Sequence, residues 1–309
     1  MYGHNIKDKM VPIAKEEGVF LDAYGVQNRF PFLDTSKYGD TAMLFPYHAG
    51  YADPRLIVRA QQLAASRQGC DIIDDVVESV DETESAQHRA GDEPLMRLVT
   101  KRGRTILAKR VLLCTGVFTN LKALLPPGIK LDLGIDGTFT VNLEVGEGDL
   151  EKLLSMPTLS SYTDSEWNCY MLPPIKYPDG KTYVKIGPGW QDQTRLNSLQ
   201  EVRDWFLSQL DSKLVDKFTD LLLSIVKGFT PLSVQAAMCA CSRTPTTLPY
   251  CDMLSPRLGL AVGGNGYGAM LCDEIGRMAA GMITGMENWN HDIPRQELRA
   301  QFKPQSSML

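Results

Sequence analysis

Histidine is scarce: four in 309 residues, at 4, 48, 88 and 291, and no two are spaced as a metal-ligand pair. Seven cysteines, at 70, 114, 169, 239, 241, 251 and 272, contain no C-x-x-C; the shortest spacing is the C-x-C of Cys239 and Cys241. This pattern speaks against a structural zinc site and against a secreted disulfide framework, so reduced thiols are expected. No Lys/Arg run occurs, and 32 basic against 37 acidic residues leave a net charge of −5. A nucleic-acid-binding surface is therefore not expected. No apolar run approaches membrane-spanning length, the N-terminus MYGHNIKDKM lacks an apolar signal region, and no internal repeat is visible. What is present is ordinary globular material, 43% hydrophobic and 22% charged, enough for one large domain or two.

The first forty residues are short, mixed segments broken by Gly, Pro and Asp. At Asp53-Pro54 a helix is expected: Asp53 as cap, Pro54 at the first helical position, an apolar stripe of Leu56, Ile57, Ala60, Leu63 and Ala64, and Gly69 as terminator. Strands follow at 71–73, 76–80, 95–100 and 105–108, with Arg102-Gly103 turning the last hairpin. The run RVLLC at 110–114 reads as a strand buried on both faces, in a parallel or central sheet. Between 124 and 182 period-two strands alternate with Pro and Gly, without a strong helix, and Pro178-Asp179-Gly180 turns into a returning strand. Two amphipathic helices are expected over 199–227, the first with its stripe at Leu199, Val202, Trp205, Phe206 and Leu210. An α/β part is thus interleaved with a mostly antiparallel sheet part.

Near the C-terminus a strand at 258–262 runs into GGNGYG at 263–268 and then into a helix. Strand, glycine turn and helix in that order let backbone N–H groups and the helix dipole hold a negative group. The stretch GNGYGA at 264–269 matches G-x-G-x-x-A literally. A dinucleotide fingerprint, however, opens a βαβ unit, and here a polar tail follows the helix. Close packing of strand on helix explains the glycines equally well at this point.

Upstream lies Cys239-Ala-Cys-Ser-Arg-Thr-Pro245. With the glycine loop it resembles the D-amino-acid-oxidase-like flavoproteins, in the monomeric sarcosine oxidase and pipecolate oxidase branch, which carry C-x-Y-T-x-T-P-D, a strand, and G-F-S-G-H-G-F-K opening a helix. FPYHAGYADPRLIVRAQQLAASRQGC at 45–70 is similar to the segment leading into that family's central helix, and CTGVFTN at 114–120 to its A-G-A-W-[ST]-N strand end. Order and spacing agree over about residues 20–290.

The resemblance implies an α/β fold of α+β character: an incomplete FAD-binding α/β domain (46–123 and 235–290) interleaved with an antiparallel-sheet substrate domain (1–45 and 124–234), and a tail at 291–309. It implies FAD, bonded covalently through Cys239 or held without a covalent bond. Gly266, Tyr267, Gly268, Ala269 and Met270 fall on the loop facing the flavin's pyrimidine edge, Thr115 and Gly116 on the turn beside the pyrophosphate, and Val77 on the strand beside the adenine. Lys185 falls on the oxygen-activating lysine and Tyr170 on a substrate-facing tyrosine. The implied reaction oxidises a C–N bond of an amine or an N-methyl or cyclic amino acid with O2, giving imine and H2O2. A small-molecule amine and O2 are the expected partners, and a monomer the expected state.

Several positions depart from the family. Met270 replaces a lysine that helps bind the substrate carboxylate, Gly189 an active-site histidine, Cys241 a tyrosine and Thr246 an aspartate. A more apolar, less cationic pocket is expected, suited to a larger or less acidic amine. The family's N-terminal strand, G-x-G-x-x-G and helix are not matched, and residue 1 aligns more than a hundred residues into such a protein. An alternative reading is therefore a catalytically impaired remnant serving as a binding or scaffold module. Ser307-Met308-Leu309 is a loose variant of the peroxisomal Ser-Lys-Leu address, with a cytoplasmic location otherwise expected.

Overall fold

The computed structural model describes residues 18–34, 41–47, 49–83, 94–161, 168–189, 192–286, 289–290 and 292–304. The four histidines and the Ser307-Met308-Leu309 signal lie outside them. The fold is a mixed α/β one, built as two compact units: Met1–Asp53, Thr138–Gln193 and Trp205–Cys239 in the first, and Pro54–Gly137, Thr194–Asp204 and Ala240–Leu309 in the second. The sequence reading drew its boundaries at 45/46, 123/124, 234/235 and 290/291; two boundaries between the compact units lie within the strands β7 (Gly134–Glu144) and β12 (Val234–Arg243).

The first unit opens with β1 (Val19–Asp22), α1 (Ala23–Arg29) and β2 (Thr41–Leu44), β1 and β2 being antiparallel. Asp22 caps α1 by accepting the Gly25 N–H. Its main sheet pairs β7 with β10 (Thr182–Pro188), β10 with β9 (Cys169–Lys176) and β9 with β8 (Leu159–Ser161), all antiparallel. The turn into β10 is the expected one, with Gly180 at φ +85. A short helix, α3 (Glu147–Leu153), lies within the stretch read as having no strong helix. It is a seven-residue segment with acidic residues in its first turn and Lys152 in its last, too short to show a helical period.

Alternation sorts the sheet's faces. Val141, Leu143, Cys169, Met171, Val184 and Ile186 point into one core with Phe218, Leu221, Leu222 and Ile225 of α5 (Ser212–Ile225). Phe139 and Phe218 meet edge to face at 5.2 Å. Helix α4 (Leu199–Leu207) precedes α5, but of its expected stripe only Val202 is buried, while Leu199 and Phe206 are exposed. The second helix, not the first, covers this sheet.

In the second unit, β3 (Val77–Glu82), β4 (Met96–Thr100) and β5 (Thr105–Ala108) form an antiparallel meander, with Gly103 at φ +78 in the predicted turn. Residues 71–73, read as a strand, are irregular. A second sheet has the order β13 (Tyr250–Met253), β14 (Leu258–Val262), β6 (Val111–Leu113). Its β14–β6 pair is parallel, as the apolar run of β6 implied. Helix α6 (Gly268–Thr284) follows β14 and buries Met278, Ala279 and Gly281, and Gly285 at φ +75 ends it. Helix α2 (Pro54–Arg67) starts at Pro54 and is followed by Gly69 at φ +91, as expected. None of its residues is buried, however, and Leu56 is 62% exposed. The amphipathic period predicted a helix correctly but not a partner for its stripe.

Candidate flavin and substrate site

In the first unit the sheet face turned away from the core carries the polar candidates. Cross-strand register places Lys185 of β10 opposite Leu172 of β9 and Asn142 of β7. Two residues along β10, Gly187 stands opposite Tyr170. A glycine is required there because a Cβ would fall 2.5 Å from the Tyr170 ring. Gly189, likewise, makes room for Asn168: an added Cβ would lie 2.1 Å from the Asn168 Oδ1. The ring lying across Gly187 brings Tyr170 within 5.8 Å of the Lys185 ammonium, measured to the ring centroid. Both residues are half-buried, and Asn142 beside Lys185 is buried. Lys185 and Tyr170 are thus brought together on one face, a cation against an aromatic ring, with Asn142 opposite Lys185.

Cys239 lies on β12 in the same unit with its residue exposed. Its carbonyl accepts the Trp205 indole N–H at 2.8 Å, which fixes the strand beside α4. The other thiols differ in character. Burial pushes the Cys169 and Cys251 thiols up to about 11, and also raises that of Cys114. Among the described residues no group of His, Cys, Asp and Glu could hold a metal ion. A cavity of about 560 Å3 beside Phe32 has its lysines engaged, Lys152 on the carbonyls of Lys227 and Gly228, and Lys227 on Asp34.

In the second unit the parallel register of β6 and β14, Leu113 beside Leu260, sends both C-terminal ends out of one sheet edge. Thr115-Gly116 and the 263–268 loop therefore emerge together, the position where open α/β sheets bind ligands. Gly116 has φ +51, and Thr119 closes the turn by donating to its carbonyl at 2.8 Å. In the loop Gly263, Asn265 and Gly266 all have positive φ, +83, +52 and +85. Asn265, 2% exposed, accepts the Thr244 N–H on its Oδ1 at 2.8 Å and donates from Nδ2 to the Gly263 carbonyl. An added Cβ at Gly264 would lie 3.0 Å from the Gly268 Cα, so the loop is folded tightly onto the start of α6.

The start of α6 is open. Its N-cap Tyr267 makes no side-chain capping bond, no acidic residue stands in the first turn, and Met270 is 75% exposed. A helix N-terminus without a side-chain cap presents backbone donors and a partial positive charge to whatever lies beyond. Gly266, Tyr267, Gly268, Ala269 and Met270 are therefore contiguous at one helix start. Val77 lies apart from this edge, in the β3–β4–β5 meander, and packs against the hydrophobic cluster that contains β6 and β14. Sequence reasoning missed Asn265, Thr244, Arg243 and Asp136, which hold the loop. The only available signal was Asn265, since Asn tolerates a left-handed backbone better than most residues.

The DAO family model, described as FAD dependent oxidoreductase, matches residues 7–282. The chain belongs to this family. No match is found among curated protein sequences. Among solved structures the fold is similar to NikD, an unusual amino acid oxidase essential for nikkomycin biosynthesis, with TM-score 0.67 and 16% identity, covering 96% of this chain and 71% of that one. It is also similar to the deglycating fructosamine oxidase of Aspergillus fumigatus, with TM-score 0.70 and 16% identity over 96% of this chain and 66% of that one. Iminodiacetate oxidase from Chelativorans sp. BNC1 gives 0.66 and 17%, over 96% and 70%.

As a member of this family the protein is an FAD-dependent oxidoreductase, and FAD is its cofactor. The residues present fit such a group on structural grounds. An uncapped 17-residue helix, with no acid in its first turn, faces outward from a loop tied down behind it. That is an environment for an electron-rich edge rather than for a cation.

Proposed function

We propose that this DAO family chain carries the flavin-facing and substrate-facing surfaces of an amine or amino-acid oxidase of the sarcosine oxidase-like type. The observation that carries the reading is the Lys185–Tyr170 pair, a fixed ammonium 5.8 Å from an aromatic ring on the coreless face of the β9–β10 pair. In this reading the substrate, an amine or an N-methyl or cyclic amino acid, loses two electrons and two protons at its C–N bond. Water then hydrolyses the imine, and O2 takes up two electrons and two protons to leave as H2O2. FAD, when bound, supplies the two-electron relay between amine and oxygen.

The protein's own contribution is position and charge. Lys185 Nζ stabilises the negative charge that builds on oxygen as it is reduced. Tyr170 orients the amine and shields the ammonium on one side. Gly266, Tyr267, Gly268, Ala269 and Met270 would hold the flavin's pyrimidine edge against the N-terminus of α6, Thr115 and Gly116 the chain beyond it, and Val77 the adenine end. Cys239, exposed on its strand, is the candidate for covalent attachment. With Met270 in place of a cationic side chain and Gly189 in place of an imidazole, the reading takes a more apolar, less cationic pocket suited to a larger or less acidic amine. Monomeric state and a peroxisomal address at Ser307-Met308-Leu309 complete the proposal.

The uncovered apolar stripe of α2 favours a second reading, in which the chain holds FAD weakly and serves as a binding module. One experiment separates them: the visible spectrum of the purified protein before and after acid precipitation. Colour retained on the precipitate supports covalent FAD at Cys239, colour released supports non-covalent FAD, and absence of colour after incubation with FAD removes the oxidase reading. Lys185→Met is then expected to lose oxygen reactivity while keeping anaerobic reduction by the amine. Unchanged oxygen reactivity would remove Lys185 from the mechanism.

A further inference from the structure

Behind the glycine loop lies a charge cluster, one member of which, Arg243, stands within the Cys239–Pro245 stretch. Asp136, on β7, is buried, and its two oxygens serve two arginines. Oδ1 lies 3.0 Å from Arg195 Nη1, and Oδ2 accepts from Arg243 Nε at 3.2 Å. Arg243 is itself largely buried, and turns Nη1 onto the carbonyl of Asn265. Two guanidinium groups thus share one carboxylate.

The Asn265 carbonyl is a consequential place for that hydrogen bond. In a trans peptide the C=O and N–H point in opposite directions. A guanidinium holding the Asn265 oxygen therefore turns the next N–H, that of Gly266, away from Arg243. Gly266 has φ +85, and an added Cβ would lie 3.4 Å from Arg243 Nη1, so the guanidinium rests directly against the turn. The Asn265 side chain, locked to Thr244 and Gly263, prevents the peptide from rotating on its other side. The planar fork of arginine is what permits both bonds at once, Nε to carboxylate and Nη1 to carbonyl, which a lysine cannot reproduce.

We infer that Arg243, buttressed by Asp136 and Arg195, is a positioning residue of the flavin site: it aims the Gly266 N–H and places a guanidinium behind the loop that opens α6. The inference rests on the FAD site proposed above. Arg243 acts through the peptide and through its field, not by contact with the reacting atoms. A positive charge so placed favours the more negative oxidation state of the cofactor and raises its midpoint potential.

The test compares the full-length wild type with Arg243→Met, Arg243→Lys and Asp136→Asn. Two quantities are read: amide hydrogen exchange of Asn265 and Tyr267 in the protein without FAD, and the midpoint potential of the FAD-loaded protein. Arg243→Met should speed exchange by about tenfold, the effect of losing one charge-assisted hydrogen bond, and should lower the potential. Arg243→Lys should restore the potential but not the slow exchange, a split that a merely structural role would not produce. Asp136→Asn should raise the potential above that of the wild type. Unchanged exchange in Arg243→Met overturns the positioning role, and an unchanged potential overturns the electrostatic one. If Arg243→Met fails to fold, Arg243→Lys and Asp136→Asn decide, and equal potentials in both and the wild type refute the inference. A wild type that takes up no FAD defeats the site reading instead, and exchange in Arg243→Lys then judges the positioning alone, slow exchange refuting it.

Discussion

Gly187 offers the sharpest test of how the Tyr170–Lys185 face is built. A methyl group placed there would fall 2.5 Å from Tyr170 Cε1, 2.7 Å from Cζ and 2.8 Å from the phenol oxygen, where ordinary contact begins at 3.4 Å. The backbone is no obstacle, since Gly187 is not among the glycines with positive φ. Gly187→Ala must therefore swing the Tyr170 ring off β10. Overpacking of this kind costs about 1–3 kcal/mol, and parting the ring from the Lys185 ammonium costs about 0.5–1 kcal/mol more. Against these, a methyl group restricts the unfolded chain and returns about 0.4–1 kcal/mol. The expected net destabilisation is about 1–3 kcal/mol. In a Tyr170→Ala background the obstruction is gone, so the same substitution should be neutral or slightly stabilising. The four proteins form a double-mutant cycle with a coupling of about 2 kcal/mol, read from urea unfolding. An equal cost of Gly187→Ala in both backgrounds would refute the placement of the ring over Gly187, and with it the Lys185–Tyr170 pairing.

Two further outcomes follow from the ionisable groups. Glu274 is held down to about 2, first by its hydrogen bond from Arg277 and then by that from Asn290. Its folded value lies below the usual 4.5, so its contribution to stability is complete above that pH and is lost as the pH falls to about 2. Glu274→Gln should flatten the acid limb of the stability curve across that window, and an unaltered limb would disprove the pairing. The thiols of Cys169 and Cys251, buried and raised to about 11, should resist iodoacetamide at about pH 8, whereas the exposed Cys70 and Cys272 should react. Peptide mapping that finds Cys169 or Cys251 alkylated before denaturation would contradict the packing of β9 and β13.

What was legible in advance was local. The 105–108 strand, the Gly103 and Gly180 turns, the helix opening at Pro54 and the strand–glycine–helix passage into α6 each rest on residues within one turn of one another. The same holds for the glycine loop, whose five named residues share one helix start. What escaped was set by register between distant segments. Asp136 and Arg243 are 107 positions apart, and they meet only because their strands carry them together; neither residue type nor spacing announces the pair. Tyr170 and Gly187 likewise become partners through the pairing of β9 with β10, and Gly189, read only as a lost histidine, is also the opening that Asn168 fills. Helix α2 shows the converse. Its period was read correctly, but burial needs a partner surface, and a period carries no information about one. The glycine loop could therefore be recognised from its own letters. The Asp136–Arg243 pair beneath it is a property of the tertiary fold.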